Sequence, residues 1–189
     1  QISNVYAFQY SRGKMITIIA GTNRENSITW RFARVYKNIL EDLGGEAKLL
    51  SLTNLPAETL LTDVYEHQKK PAVIQQLQQE YFESSDKFVF IFPEYNGSLP
   101  GVLKLLIDNL DPRIAFQHKK ASLVGISTGR AGNLRGLDHL SAILHHMKVT
   151  VLPNLLPVSR IHIEMNAEDV LSESTHKLVK DHAEMTLRM

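Results

Sequence analysis

The sequence predicts an α/β three-layer sandwich built on a five-stranded parallel sheet of order 2-1-3-4-5. Three observations lead there. Apolar runs alternate with helical patterns from end to end, as βαβ units do. The run Lys87–Phe92 (KFVFIF) is aromatic, β-branched and apolar on both faces, which a central parallel strand requires. Three polar, glycine-bearing loops directly follow the first, third and fourth of the runs, and the order 2-1-3-4-5 gathers those loops at one edge of the sheet.

The elements follow in order. Met15–Ala20 (MITIIA) is a strand ending at Gly21. Ile28, Phe32, Val35, Ile39 and Leu43 recur at helical spacing, with Ser27 or Asn26 as cap and Gly44-Gly45 as the stop. Ala47–Leu52 reads as the second strand, Ala72–Ser84 as a helix, Lys87–Phe92 as the third strand and Val102–Leu110 as an apolar helix. Ala121–Ile126 is the fourth strand, and Asn133–Met147 a helix with Leu137, Leu140, Leu144 and Met147 on one stripe. Val149–Leu152 is the fifth strand. A last helix is capped by Asn166, with Asp169 three residues on and Leu171, Leu178 and Met185 along its inner side.

The length of 189 residues, without linker, repeat or low-complexity tract, predicts one domain over residues 15–189. Residues 1–14 (QISNVYAFQYSRGK) differ from the rest and read as an N-terminal extension or tag-like segment ahead of a natural start at Met15. Twenty-one Lys and Arg against 20 Asp and Glu leave a charge of +1, so no global field recruits nucleic acid or an acidic membrane surface. The apolar runs fall short of the roughly 20 residues that span a bilayer. The absence of Cys removes disulfides, thiolate nucleophiles and thiolate metal sites, and fits a cytoplasmic protein. The eight His show no H-E-x-x-H arrangement and are expected at the surface or at interfaces, with no metal site; no G-x-S-x-G elbow supports a serine hydrolase.

Chemistry therefore concentrates in the three loops. Gly21–Thr29 (GTNRENSIT) offers the hydroxyls of Thr22, Ser27 and Thr29, the guanidinium of Arg24 and the first amides of a helix, a set suited to a phosphate dianion; a capped helix with a surface Arg fits the composition equally. It is no P-loop, since G-x-x-x-x-G-K-[ST] is absent. Pro93–Gly101 (PEYNGSLPG) is either a turn ahead of a helix or a cradle in which Gly97 brings backbone amides to a flat heterocycle, Tyr95 adds an aromatic surface and Asn96 a polar edge, with Glu94 orienting the loop. Ser127–Asn133 (STGRAGN) places Gly129 and Gly132 before a helix, and its glycines do not make G-x-G-x-x-G.

Together these loops resemble the NADPH-dependent FMN reductase family of flavodoxin-like proteins, which includes azo-, quinone- and chromate-reducing members. The family's G-S-x-R-x-x-S-x-N loop is matched by GTNRENSIT, with Thr22 for Ser and Thr29 for Asn, and P-E-Y-N-x-S-x-P-G-x-L-K-N-A-I-D by PEYNGSLPGVLKLLID, departing at Leu105 and Leu106. STGRAGNLRG matches the third motif more loosely, and the resemblance spans about Met15 to Leu187. It implies a flavodoxin-like fold and a cofactor-binding set of Thr22, Arg24, Ser27, Ile28, Thr29, Pro93, Glu94, Tyr95, Asn96, Gly97, Ser127, Thr128 and Gly129. In that set Thr22, Arg24, Ser27 and Thr29 hold the FMN phosphate, Glu94 to Gly97 line the isoalloxazine, and Ser127 to Gly129 border the ring from the other side.

The resemblance further implies hydride transfer from NADPH or NADH to FMN and onward to a small acceptor such as free flavin, a quinone, an azo compound or a metal oxyanion, with no protein acid or base named. It also implies a homodimer or homotetramer, for which the all-round apolar helix Val102–Leu110 is the expected interface. A flavodoxin-type FMN carrier without NAD(P)H activity is the alternative; the near-neutral charge and Arg24 disfavour it.

Overall fold

A computed structural model of the chain describes residues 15–61 and 70–189. The segment 1–14, and with it the reading of an extension, lies outside the described residues. The sheet has the expected order, β2-β1-β3-β4-β5, with β1 Ile16–Ala20, β2 Ala47–Ser51, β3 Lys87–Pro93, β4 Lys120–Ile126 and β5 Thr150–Val151. All pairings along it are parallel, and Ile16 lies opposite both Ala47 and Lys87.

Alternation along β3 divides the core. Phe88, Phe90 and Phe92 face one helical layer, where Phe82, Phe116 and Leu137 pack, while Val89 and Ile91 face Phe32, Tyr36 and Val179 on the other. Phe82 sits 5.4 Å, centroid to centroid, from both Phe88 and Phe116, so an aromatic cluster anchors the first layer. With β1 and β3 buried along nearly their whole length, the loops leaving them have fixed roots.

The helices are α1 Ile28–Asp42, α2 Ala57–Leu60, α3 Ala72–Leu77, α4 Gly101–Asn109, α5 Pro112–Ala115, α6 Leu134–His146, α7 Ile161–Glu164 and α8 Glu173–Arg188. Ser27, not Asn26, caps α1, its hydroxyl accepting from the Trp30 amide at 3.1 Å. The helix expected over 72–84 is α3 continued by a π-helical turn, Gln78–Glu83.

Several expectations are corrected. The fifth strand does not run over Val149–Leu152: it is split, Thr150–Val151 pairing with the start of β4 and a further strand, β6 Leu156–Val158, pairing with its end. Pro153 interrupts the ladder, lacking an amide and turning the chain so that Leu155 N–H reaches the Pro153 carbonyl. Asn166 does not cap the last helix; its side chain accepts from the Glu168 and Val170 amides in the preceding turn, and Ser172 caps α8.

The inner face of α8 is Thr175, Val179, His182, Ala183 and Thr186, whereas Leu178 and Met185 are exposed. Most of these polar groups are paired: Tyr36 Oη lies 2.8 Å from His182 Nδ1 and 3.3 Å from Thr186 Oγ1, which pairs with Ser122 Oγ at 2.7 Å, while the Thr175 hydroxyl donates to Glu164. His182 is thus a core residue, not a surface one.

In α4, Leu103, Leu106 and Ile107 are buried in this chain, Leu110 just beyond it is buried too, and Leu105 packs on the same core. Much of the apolar character of α4 is therefore absorbed within the chain, in the same core as Leu60 of α2, with Val102 and Leu105 left partly exposed. No helix among the described residues is long and apolar enough to cross a membrane.

Candidate functional site

The three loops meet at the carboxyl ends of β1, β3 and β4. Pro93 ends β3 opposite Ile126, and the Glu94 amide donates to the Ile126 carbonyl at 2.8 Å, so the second and third loops leave the sheet side by side. The Gly21 amide donates to the Ile91 carbonyl at 2.8 Å, which roots the first loop beside them.

Tyr95 to Ser98 form a two-residue hairpin. Tyr95 N–H donates to the Ser98 carbonyl at 2.9 Å and Ser98 N–H returns to Tyr95 at 3.1 Å, with Asn96 at φ 52° and Gly97 at φ 77°. Two successive left-handed residues are what the Asn-Gly pair supplies at least cost. The Ser98 hydroxyl lies 2.8 Å from His139 Nδ1, so α6 braces the hairpin from the side.

Tyr95 crosses to the first loop. Its hydroxyl is 2.7 Å from Thr22 Oγ1, and the Arg24 guanidinium carbon lies 4.5 Å from its ring centroid. Thr22 is buried and its Oγ1 also accepts from the Arg24 amide at 3.3 Å. Ile28 and Thr29 occupy the first turn of α1, whose amides have no intrahelical acceptor. Thr29 itself is buried, its side chain turned inward.

The third loop is shaped by its serine. Ser127 is buried; its hydroxyl donates to the Gly129 carbonyl at 3.1 Å and accepts from the Gly132 amide at 3.0 Å, so its role in this geometry is to fold the loop. Thr128, Gly129 and Arg130 are exposed. The backbone after β6 closes the same corner, since Arg160 N–H donates to the Gly129 carbonyl at 2.9 Å.

These residues fit a phosphorylated flat cofactor. The Ser27 hydroxyl accepts from Trp30, leaving its proton free to donate; with the first amides of α1 and the Arg24 guanidinium this makes a set of donors. Arg24 has no carboxylate partner among the described residues, which leaves its charge available to an anion. A Cβ built at Gly129 would meet nothing within 4 Å, and at Gly97 only the Arg135 guanidinium at 3.8 Å, so a ring can approach both backbones.

Arg135, His139 and Arg160 were not singled out as site residues by the sequence reading. Arg135 and His139 sit one turn apart on α6 and face the hairpin, and an Arg and a His at i, i+4 shortly after a glycine-bearing loop are the signal that could have found them.

The fold and the donor set define a flavodoxin-like protein whose strand ends suit a phosphorylated, flat cofactor. Residues 15–162 match the family model described as NADPH-dependent FMN reductase, and the chain belongs to that family. Membership makes it an oxidoreductase that uses FMN and NAD(P)H. Over 142 residues it is 29% identical to an NAD(P)H-dependent FMN reductase of Pseudomonas aeruginosa, covering 74% of this chain and 71% of that one. Over 166 residues it is 25% identical to an NADPH azoreductase of Bacillus sp. strain OY1-2, covering 88% and 86% of the two chains. A flavoenzyme NAD(P)H:acceptor oxidoreductase of Paracoccus denitrificans superposes with a TM-score of 0.76 at 23% identity over 93% of this chain and 96% of that one, a likeness of fold.

Proposed function

We propose that the protein passes hydride equivalents from NAD(P)H through FMN, held at the three-loop site, to a small acceptor: free flavin, a quinone, an azo compound or a metal oxyanion. The convergence of Thr22, Arg24 and Tyr95 at the start of α1 carries this reading, because it joins an anion-binding helix terminus to the hairpin that would line the ring. When bound, FMN supplies the two-electron chemistry, and the protein supplies orientation and hydrogen bonds.

In this reading Thr22, Arg24, Ser27 and the amides of Ile28 and Thr29 hold the phosphate. Pro93 and Glu94 set the exit of the hairpin, and Tyr95, Asn96 and Gly97 bound one edge of the ring. Ser127 folds the loop so that the Thr128 and Gly129 backbone borders the other edge. A homodimer or homotetramer and a cytoplasmic location belong to the same proposal. The cysteine-free sequence supports the location. Light scattering at micromolar concentration tests the assembly, a monomer mass counting against it.

The deciding experiment is anaerobic. Purified protein is loaded with FMN, the released cofactor is identified by mass, and the flavin absorbance is followed on adding NADPH or NADH. Rapid bleaching is expected. Bound FMN that neither nucleotide reduces would replace this reading with that of an electron carrier, and a protein that takes up no FMN would end both.

A further inference from the structure

Three arginines sit on or beside the third loop, and no ion pair among the described residues holds them. Arg130 follows Gly129 directly, Arg160 is hydrogen-bonded through its backbone to the Gly129 carbonyl, and Arg135 reaches over Gly97 of the hairpin. All three are exposed, and none is ion-paired among the described residues. The carboxylates nearest in sequence make no ion pair with them among the described residues: Asp138 follows Arg135 by three residues, and Glu164, four after Arg160, accepts instead from the Ser172 and Thr175 hydroxyls.

Two of the three stand where local rules disfavour them. Arg135 is in the first turn of α6, where the helix dipole opposes a cation, and that turn holds no acidic residue to offset it. Arg160 adopts the left-handed conformation at φ 50°, a strained place for a long side chain, held by its bond to Gly129 and by the Ile163 amide that donates to its carbonyl at 2.7 Å. A cation kept at a helix start and another kept in strained backbone, both beside one loop, call for an anion that arrives from outside.

We propose that Arg130, Arg135 and Arg160 form a rim that binds phosphate groups of the nicotinamide dinucleotide and thereby positions the reductant over the site. This rests on the reading of the three-loop site as an FMN-dependent NAD(P)H oxidoreductase. Phosphate is the shared chemistry; it comes either from the pyrophosphate, common to NADH and NADPH, or from the 2′-phosphate of NADPH alone. Arg24 is a separate cation, engaged with the Tyr95 ring on the first loop. His139, bonded to Ser98, sets the hairpin against which Arg135 lies.

The test uses the FMN-loaded, oxidised protein and titrates NADP⁺ and NAD⁺ by calorimetry, with FMN affinity measured alongside. Arg130→Gln, Arg135→Gln, Arg160→Gln and the triple Arg130→Gln/Arg135→Gln/Arg160→Gln variant are compared with wild type. Each single change is expected to weaken dinucleotide binding by about 10-fold or more, the worth of a charge-assisted bond, and the triple change further, with FMN affinity altered less than about threefold. Arg135→Lys is expected to recover part of the loss.

A loss confined to NADP⁺ assigns the rim to the 2′-phosphate, and an equal loss for NADP⁺ and NAD⁺ assigns it to the pyrophosphate; either sustains the proposal. Should Arg160→Gln fail to fold, the Arg130 and Arg135 changes decide alone. Wild-type affinity in the folded variants overturns the rim. The underlying reading fails differently, by wild-type protein that does not take up FMN or is not reduced by either nucleotide.

Discussion

The Tyr95 hydroxyl lies 2.7 Å from Thr22 Oγ1, so the hairpin after β3 and the helix entry after β1 are tied by one side-chain bond. Tyr95→Phe removes that bond while keeping the ring under Arg24. A neutral hydrogen bond contributes about 1 kcal/mol, so FMN affinity should fall by roughly fivefold with little change in melting temperature. Fluorescence titration of the apoprotein measures this; unaltered affinity would show that the tie does not organise the cofactor loops.

Arg24→Ala separates phosphate from ring. Removing a charge-assisted contact of about 1.5–3 kcal/mol should weaken FMN binding by about 10- to 150-fold. Riboflavin, which has the ring and no phosphate, should bind wild type and variant alike. Equal weakening of both ligands would move Arg24 from the phosphate to the ring.

Gly21→Ala tests the root of the first loop. A Cβ there would sit 2.7 Å from Phe92 Cβ and 2.9 Å from Leu103 Cδ2, with the sheet below and α4 above. Overpacking of this kind costs about 1–3 kcal/mol, and each kcal/mol lowers the melting temperature of a chain this size by about 2–4 °C. FMN affinity should fall as well, because the displaced segment carries Thr22. A variant with wild-type melting and wild-type FMN affinity would mean that the chain relaxes around the methyl.

His182 predicts an acid limb in stability. Burial, only partly opposed by the Asn154 backbone, holds its pKa down at about 4 against an ordinary 6.5. The unfolded chain therefore binds more protons than the folded one between those values, and stability rises with pH across the window. The contribution is complete above about pH 6.5 and is lost as pH falls toward 4, by about 3 kcal/mol in all. Denaturant melts from pH 4 to 7 should show this slope, and His182→Gln should flatten it, at some cost in stability at neutral pH.

The sheet was readable because β1, β3 and β4 are continuous apolar runs whose β-branched and aromatic residues fit only a buried parallel sheet. The fifth strand and α8 were misread for opposite reasons. The apolar run was read as ending at Leu152, and the prolines beyond it, Pro153 and Pro157, hid β6, whereas Thr175, His182 and Thr186 hid an inner face, since hydroxyls and an imidazole on one stripe look solvated even where they find partners inside. The same limit applies at the site. Thr22, Arg24 and the hairpin stand out as local motifs, but the crossing of Tyr95 to Thr22, the reach of Arg135 to Gly97 and the bond of Arg160 to Gly129 join segments far apart in the chain.

The split fifth strand has a consequence for how copies of the chain meet. An open edge of unpaired amides and carbonyls invites another sheet to add on and grow into a fibre. Here that edge is cut into pieces of two and three residues, separated by a turn at Pro153 and containing Pro157, so no run of ladder partners is long enough to template another strand. At the opposite edge, Lys48 of β2 bonds the Glu80 carbonyl and the Ser84 hydroxyl of the π-helical turn, which lays a helix end across it. Any association of this protein is thereby directed away from its sheet edges and toward its helical faces.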